Sequence, residues 1–166
     1  MALDTLRRAL HFVALCLAQA LVFNHVHLFG YATVLLYVYF VVIFPRSYPR
    51  WAILLWSFAM GLVIDLFANT PGVAAASLTL IGLLQPYVME LFIPREAPAN
   101  LRASAADMGR TKFYVMTAML TLLFCMVFYS LEMFTFANWL SWAFSVVGSW
   151  LLTLVLMTAL ESVRKS

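Results

Sequence analysis

The sequence predicts an all-α integral membrane protein built as a bundle of six transmembrane helices. Of its 166 residues, 65% are hydrophobic and only 10% are charged, whereas a soluble domain is nearer half apolar and a quarter charged. The apolar residues fall into six runs, and the cations lie in short segments between alternate runs. This pattern excludes a soluble enzyme, a disordered chain and a conventional nucleic-acid-binding protein, because the last needs cations gathered on a solvated face.

Each apolar run should be a helix, because a backbone in hydrocarbon must satisfy its own hydrogen bonds. The runs are too long and too uniformly apolar for barrel strands, which alternate. A proline follows the second and fourth runs, at Pro45 and Pro94. We therefore predict one transmembrane domain over 1–166. Its helices should cover about 9–28, 31–44, 51–68, 72–93, 113–131 and 138–160, with a loop at 94–112.

The first run also resembles a signal peptide. Arg7 and Arg8 precede it, and Ala18-Gln19-Ala20 fits the small-x-small pattern of a cleavage site. The apolar run continues beyond this point and further spans follow. We therefore expect the segment to be retained as the first helix.

The cations predict the orientation in the membrane. With six helices, every Lys and Arg falls on the same side, and the three connections on the other side contain none. The positive-inside rule places the basic side, with both termini, in the cytoplasm. The ten cations are Arg7, Arg8, Arg46, Arg50, Arg95, Arg102, Arg110, Lys112, Arg164 and Lys165.

Asp65, near the outer end of the third helix, is the sharpest candidate for chemistry. A carboxylate within a bilayer is costly, so it usually faces the protein interior and finds a partner. Its functional interpretations are a proton or ion relay, a ligand anchor or a partner contact. Its structural interpretation is a cap on the turn at 69–72, or a pairing with Asn24 or a histidine. We favour the structural role.

The histidines and cysteines predict no metal site. His25 and His27 would point the same way on an extended backbone, but no carboxylate or cysteine lies nearby in sequence. Cys16 and Cys125 lie inside apolar runs without ligand spacing, so we expect buried, free thiols. His11 on the first helix is expected to serve packing or hydrogen bonding.

The remaining acids and the hydroxyl residues indicate no enzyme. We expect Glu90, near the inner end of the fourth helix, to snorkel or to pair with Arg95. Glu132 and Glu161 sit at helix ends and suggest no special role. No nucleophile motif, phosphate loop or dinucleotide fingerprint is present in the sequence, and no cofactor is predicted.

Small residues mark candidate helix contacts. Ala14 and Ala18 share a face of the first helix, and Gly72 and Ala76 share a face at the start of the fourth. Gly61 on the third helix is a further candidate. Such spacing lets helix backbones approach closely in a membrane.

Two segments resemble the rod shape-determining protein MreD family. They read VFNHVHLFGYAT at 22–33 and GLVIDLFANTPG at 61–72. The resemblance covers nearly the whole chain, and length, helix number and cytoplasmic termini agree with it. The polar residues of these segments form the candidate partner-binding or structural site: Asn24, His25, His27, Asp65, Asn69, Pro71 and Gly72.

The resemblance implies a non-enzymatic component of the bacterial inner membrane that maintains rod shape. Members of the family bind the single-span protein MreC. Through it they associate with the actin-like MreB, the glycosyltransferase RodA and a class B penicillin-binding protein, and so help to position lateral peptidoglycan synthesis. Our own hypothesis for this role is that the membrane helix of MreC docks in a groove on the bundle. The basic inner loop would contact anionic lipid or a cytoskeletal partner.

Two other functions stay open. The family is similar in fold to the S components of energy-coupling-factor vitamin transporters, and those use small residues on the first helix, as at Ala14 and Ala18, to meet their partner. A polar pocket under the outer loops would favour such a vitamin-binding subunit, whereas a centre filled by Leu, Phe and Met would favour the scaffold. An intramembrane enzyme needs converging polar groups, but Asp65 and Glu90 are expected at opposite faces.

Overall fold

The computed structural model describes residues 2–21, 27–28, 32–33, 37–69, 71–133 and 138–165. They form an all-α bundle with one minimal pair of strands, whose register sets His27 opposite Thr33. The elements are α1 (Ala2–Leu21), β1 (His27–Leu28), β2 (Ala32–Thr33), α2 (Val38–Val42), α3 (Arg50–Ala68), α4 (Val73–Phe92), α5 (Ala105–Met108), α6 (Arg110–Met133) and α7 (Trp139–Lys165).

Four helices, α3, α4, α6 and α7, are long and apolar enough to cross a membrane. Their bounds lie close to those predicted for the third to sixth apolar runs. The described residues therefore form an all-α structure with four candidate membrane spans, which is consistent with an all-α membrane protein. In the first two runs, the described helices differ in extent from the predicted ones, and neither of them is among the four candidate spans.

The centre of the bundle is filled by aromatic and aliphatic side chains. Met, Phe, Leu and Ile residues from α2, α3, α4 and α6 bury their whole surface against one another. Edge-to-face contacts fix the rings, as between Tyr37 and Phe124 with centroids 5.6 Å apart. The largest fully buried side chains include Phe40, Phe44, Met60, Leu78, Met116 and Leu120.

The hairpin of α3 and α4 is packed backbone to backbone. Gly61 lies on α3 where α4 crosses it, and a Cβ at this position would overlap the Cα of Ala75. Gly82 makes a second close approach, since a Cβ there would lie 2.5 Å from the Ser57 hydroxyl. The prediction that Gly61 serves helix packing agrees with this geometry.

The first helix differs in extent from the prediction of 9–28. It runs from Ala2 to Leu21, whereas His27 and Leu28 belong to β1. It lies beside α3 and points the same way. Phe12 packs on Trp56 with ring centroids 5.5 Å apart, and the Cys16 thiol lies 3.0 Å from the Met60 sulfur.

The prediction of a continuous helix over 31–44 was wrong. Residues 32–33 form a strand, and among the residues of this run that the structure describes the helix covers Val38–Val42. Aromatic and β-branched residues dominate this run and favour extended backbone as readily as helix. The break is tolerated because α2 is buried throughout, and Gln85 on α4 donates to the carbonyls of Val42 and Phe44 at 3.4 and 3.1 Å.

Arg8, Arg46 and Arg50 lie close together at one end of the bundle, called here the basic end. Arg8 stacks over Tyr48 at 4.2 Å from the ring centroid, and burial is the main factor that lowers the pKa of its guanidinium. The Arg46 backbone N–H donates to the Leu101 carbonyl, which joins the α2–α3 turn to the loop after α4. This loop, predicted at 94–112, also contains the short helix α5 and the first residues of α6.

Candidate functional site

Asp65 is buried and closes the turn between α3 and α4. Its two carboxylate oxygens accept the backbone N–H groups of Ala74 and Ala75 at 2.9 and 3.0 Å, donors that a helix start leaves without partners. Asn69 ends α3 in the left-handed conformation, and Gly72 precedes α4 with φ +83°. Asp65 therefore has the capping role that the sequence analysis favoured.

Of the other residues of the predicted polar site, three lie beside Asp65 in the structure. Asn69, Pro71 and Gly72 form the exposed turn beside Asp65. Asn24 and His25 lie outside the described residues. His27 is placed by its backbone in β1, and the neighbouring β2 packs against α7.

An open apolar groove runs along the outer surface of α3 and α4. Its volume is about 650 Å³. Leu54, Phe58 and Leu62 form a ridge on α3, while Ala76 and Thr79 leave a low floor on α4. This helix groove is lined by Leu54, Phe58, Leu62, Gly72, Ala75, Ala76, Thr79, Leu80 and Leu83.

The predicted small-residue contacts fall into two groups. Gly61 packs inside the hairpin, as described above. Gly72 and Ala76 are exposed and border the helix groove, so neither residue is buried in a contact between described helices of the chain. Ala14 is likewise exposed on α1, and Ala18 is half-buried.

Glu161 is a second buried carboxylate, which sequence reasoning missed. It is 1% exposed and ties three segments at the basic end. Its Oε2 accepts the Tyr39 hydroxyl at 2.8 Å, and its Oε1 accepts the Ala105 N–H at 3.1 Å. It therefore joins α7 to α2 and α5.

A sequence signal for Glu161 does exist. Along α7, every fourth residue is buried, which is the spacing of a single helix face. Most of these residues are small or polar and meet α6, as where the Tyr129 and Ser149 hydroxyls lie 2.6 Å apart. The face consists of Ser145, Ser149, Thr153, Met157 and Glu161.

The other candidates for chemistry are dispersed. Glu90 is exposed on α4 and makes no ion pair with Arg95 in the described part of the chain. Cys16 and Cys125 are buried and free, as predicted. Across the described ranges, no three His, Cys, Asp or Glu side chains come together to hold a metal ion.

Asp65 and Glu161 each hold main-chain N–H groups, at opposite ends of the bundle. The helix groove is open to whatever surrounds α3 and α4. Comparison with protein-family models, with curated proteins and with solved structures gives no match to this chain.

Proposed function

We propose that this chain is a non-enzymatic scaffold of the bacterial cell-elongation machinery, similar to MreD, and that it binds the membrane helix of MreC. The proposal starts from the resemblance of 22–33 and 61–72 to that family. The observation that carries it further is the helix groove on α3 and α4, an open apolar channel of about 650 Å³.

The helix groove has the relief that a partner helix needs. Lipid tails are as apolar as leucine, so helices associate in membranes through close packing rather than through expulsion of water. Ala76 and Thr79 keep the floor of the groove low, and the Phe58 and Leu62 side chains stand beside it. A helix seated there would replace mobile lipid contacts by a fixed van der Waals contact on both sides.

The packed centre supports a scaffold over a vitamin-binding subunit. Phe124, Met116 and Leu120 are fully buried on the inner face of α6, where a small polar ligand would need space. Buried Gln85 and Glu161 use their polar atoms to bond the backbone of neighbouring segments. This is the apolar centre that the sequence analysis associated with the scaffold.

In this function the protein lies in the inner membrane with its basic end in the cytoplasm. MreC would be the direct partner. MreB, RodA and a class B penicillin-binding protein would be reached through MreC. Lateral peptidoglycan synthesis would then be positioned by an assembly that this chain helps to hold together.

The direct test is co-purification with MreC. Replacing Ala76 or Thr79 by leucine fills the floor of the helix groove, so we expect at least about a tenfold loss of captured MreC. The matched control is Ala159→Leu, an exposed small residue on α7, which should leave capture unchanged. Equal capture by all three variants would refute the helix groove as the docking site.

Depletion in cells tests the wider function. We expect rod-shaped cells to become round and to insert new wall material in a disordered pattern. Loss of uptake of one vitamin with normal cell shape would instead identify the chain as a transporter subunit. Normal shape and normal uptake would contradict both functions.

A further inference from the structure

A small polar cleft lies at the basic end, between the turn before α3 and the last turns of α4. Its volume is about 80 Å³. Two arginines, Arg46 and Arg50, and one carboxylate, Glu90, line it together with Tyr48. We refer to it as the inner cleft, and it is separate from the helix groove, with which it shares no lining residue.

The charges of the inner cleft do not neutralise one another. Arg46 donates one bond to the Ala97 carbonyl at 2.9 Å, and Arg50 donates one to the Tyr87 hydroxyl at 3.1 Å. A guanidinium has five N–H donors, so each arginine keeps donors to offer. Glu90 has neither a hydrogen bond nor an ion pair in the described part of the chain. Both charge signs thus remain available in a single cleft.

The bounds of the candidate spans predict that the inner cleft lies at the level of lipid head groups. It opens where the candidate span of α3 begins, at Arg50, and where that of α4 ends, at Phe92. Large side chains beside it are exposed, with Trp51 at 69% and Leu91 at 77%. Aromatic and apolar residues exposed next to arginines are typical of the boundary between hydrocarbon and head groups.

We infer that the inner cleft binds the head group of a zwitterionic phospholipid that carries a primary ammonium, as in phosphatidylethanolamine. The phosphate would accept hydrogen bonds from Arg46 and Arg50, and the ammonium would donate to Glu90. The acyl chains would then follow the exposed apolar surface of α3 and α4. One ligand would thus supply a negative group for the two arginines and a positive group for Glu90.

The chemistry of the three charged groups separates this lipid from its relatives. A choline head group has no N–H to give Glu90, and a glycerol head group has no positive charge. Phosphatidylglycerol carries the same phosphate charge but offers Glu90 no ammonium, so it would lack the contact that phosphatidylethanolamine makes there. This inference depends on the membrane position of α3 and α4, and it does not depend on the proposed binding of MreC.

Native mass spectrometry of the purified full-length chain tests the inference. The protein is mixed with equal amounts of phosphatidylethanolamine, phosphatidylcholine and phosphatidylglycerol of matched acyl chains, and retained lipid is counted. We expect phosphatidylethanolamine to be retained about tenfold over phosphatidylcholine, the size of one charge-assisted hydrogen bond. Equal retention of the three lipids, or preference for phosphatidylglycerol, would overturn the inference.

Two variants locate the binding. Glu90→Gln should abolish the preference for ethanolamine over choline while leaving retention of both, whereas Arg46→Gln with Arg50→Gln should weaken retention of both. Glu96→Gln, an exposed carboxylate in the loop after α4, is the control and should change nothing. Thermal unfolding in detergent verifies that each variant is folded. A preference that persists in folded Glu90→Gln would show that the inner cleft is not the site.

Discussion

At the residue scale, Asp65 holds two N–H groups that would otherwise have no partner at the start of α4. Asp65→Ala removes both acceptors, and we expect it to lower the free energy of unfolding by about 1–3 kcal/mol. Asp65→Asn retains one acceptor and should cost less. Thermal unfolding in detergent measures both. Asp107→Asn, an exposed acid in α5, should melt like the parent.

The same variants distinguish a cap from a partner contact. If Asp65 only caps α4, capture of MreC per folded molecule should be unchanged in Asp65→Asn. A sharp loss of capture without a change in melting would assign Asp65 to an interface instead. An unchanged melting temperature in Asp65→Ala would contradict the capping role itself.

Glu161 and Tyr39 provide a second test, because their side chains hydrogen-bond across the fold. Glu161→Gln leaves one oxygen in place of two, so it should destabilise more than Tyr39→Phe. In a double-mutant cycle the two changes should be non-additive by about 0.5 kcal/mol or more. Thermal unfolding provides the values. As a control, Glu161→Gln is paired with Tyr114→Phe on α6, and the two effects should be additive. If the Tyr39 cycle is additive as well, the hydrogen bond between Tyr39 and Glu161 contributes nothing to stability.

The two carboxylates also show what sequence could and could not predict at this scale. Asp65 was found because a charge within an apolar run stands out, and a turn followed it closely enough to suggest a cap. Glu161 lies near the end of its helix, where an acid is ordinarily solvated. The four-residue spacing along α7 places Glu161 on the buried face of that helix, but its partners on α2 and α5 are distant in sequence and leave no local pattern.

At the element scale, the closest contact is the crossing of α3 and α4. Gly61→Ala puts a methyl group against the Cα of Ala75, and backbone cannot swing aside as a flexible side chain can. We expect a loss of about 1–3 kcal/mol in the free energy of unfolding, the range for an overpacked interior. The control is Ala76→Leu on the neighbouring helix α4, which adds a larger group at a position that faces outward. If both variants melt like the parent, the crossing is looser than the structure shows.

The segment at 31–44 shows where element prediction fails. Its apolar run is as long as a helix, and hydrophobicity alone does not distinguish a buried strand from a buried helix. The decisive fact is non-local, because Gln85 on α4 supplies hydrogen bonds to carbonyls at the end of α2. The longer runs of α3, α4, α6 and α7 were predicted well, since each satisfies its backbone within itself.

At the whole-molecule scale, the strongest sequence inference is the shared side of the cations. Three of these cations lie at one end of the bundle. Arg8 stacks on Tyr48, Arg46 hydrogen-bonds to the loop after α4, and Arg50 hydrogen-bonds to Tyr87. The structure thus brings together residues that the positive-inside argument grouped by counting helices. The orientation of that end in a cell stays a prediction, and it is open to a direct measurement.

Single cysteines at the two ends measure the orientation. One variant is Arg102→Cys, at the basic end, and the other is Pro71→Cys, in the exposed turn between α3 and α4. The native Cys16 and Cys125 are buried, so they should contribute little background labelling. A membrane-impermeant maleimide added to intact cells should label Pro71→Cys and should reach Arg102→Cys only after permeabilisation, because cations are retained on the cytoplasmic side. Labelling of Arg102→Cys from outside would reverse the topology. It would also place the inner cleft in the outer leaflet and the α3–α4 turn in the cytoplasm, out of reach of any periplasmic partner.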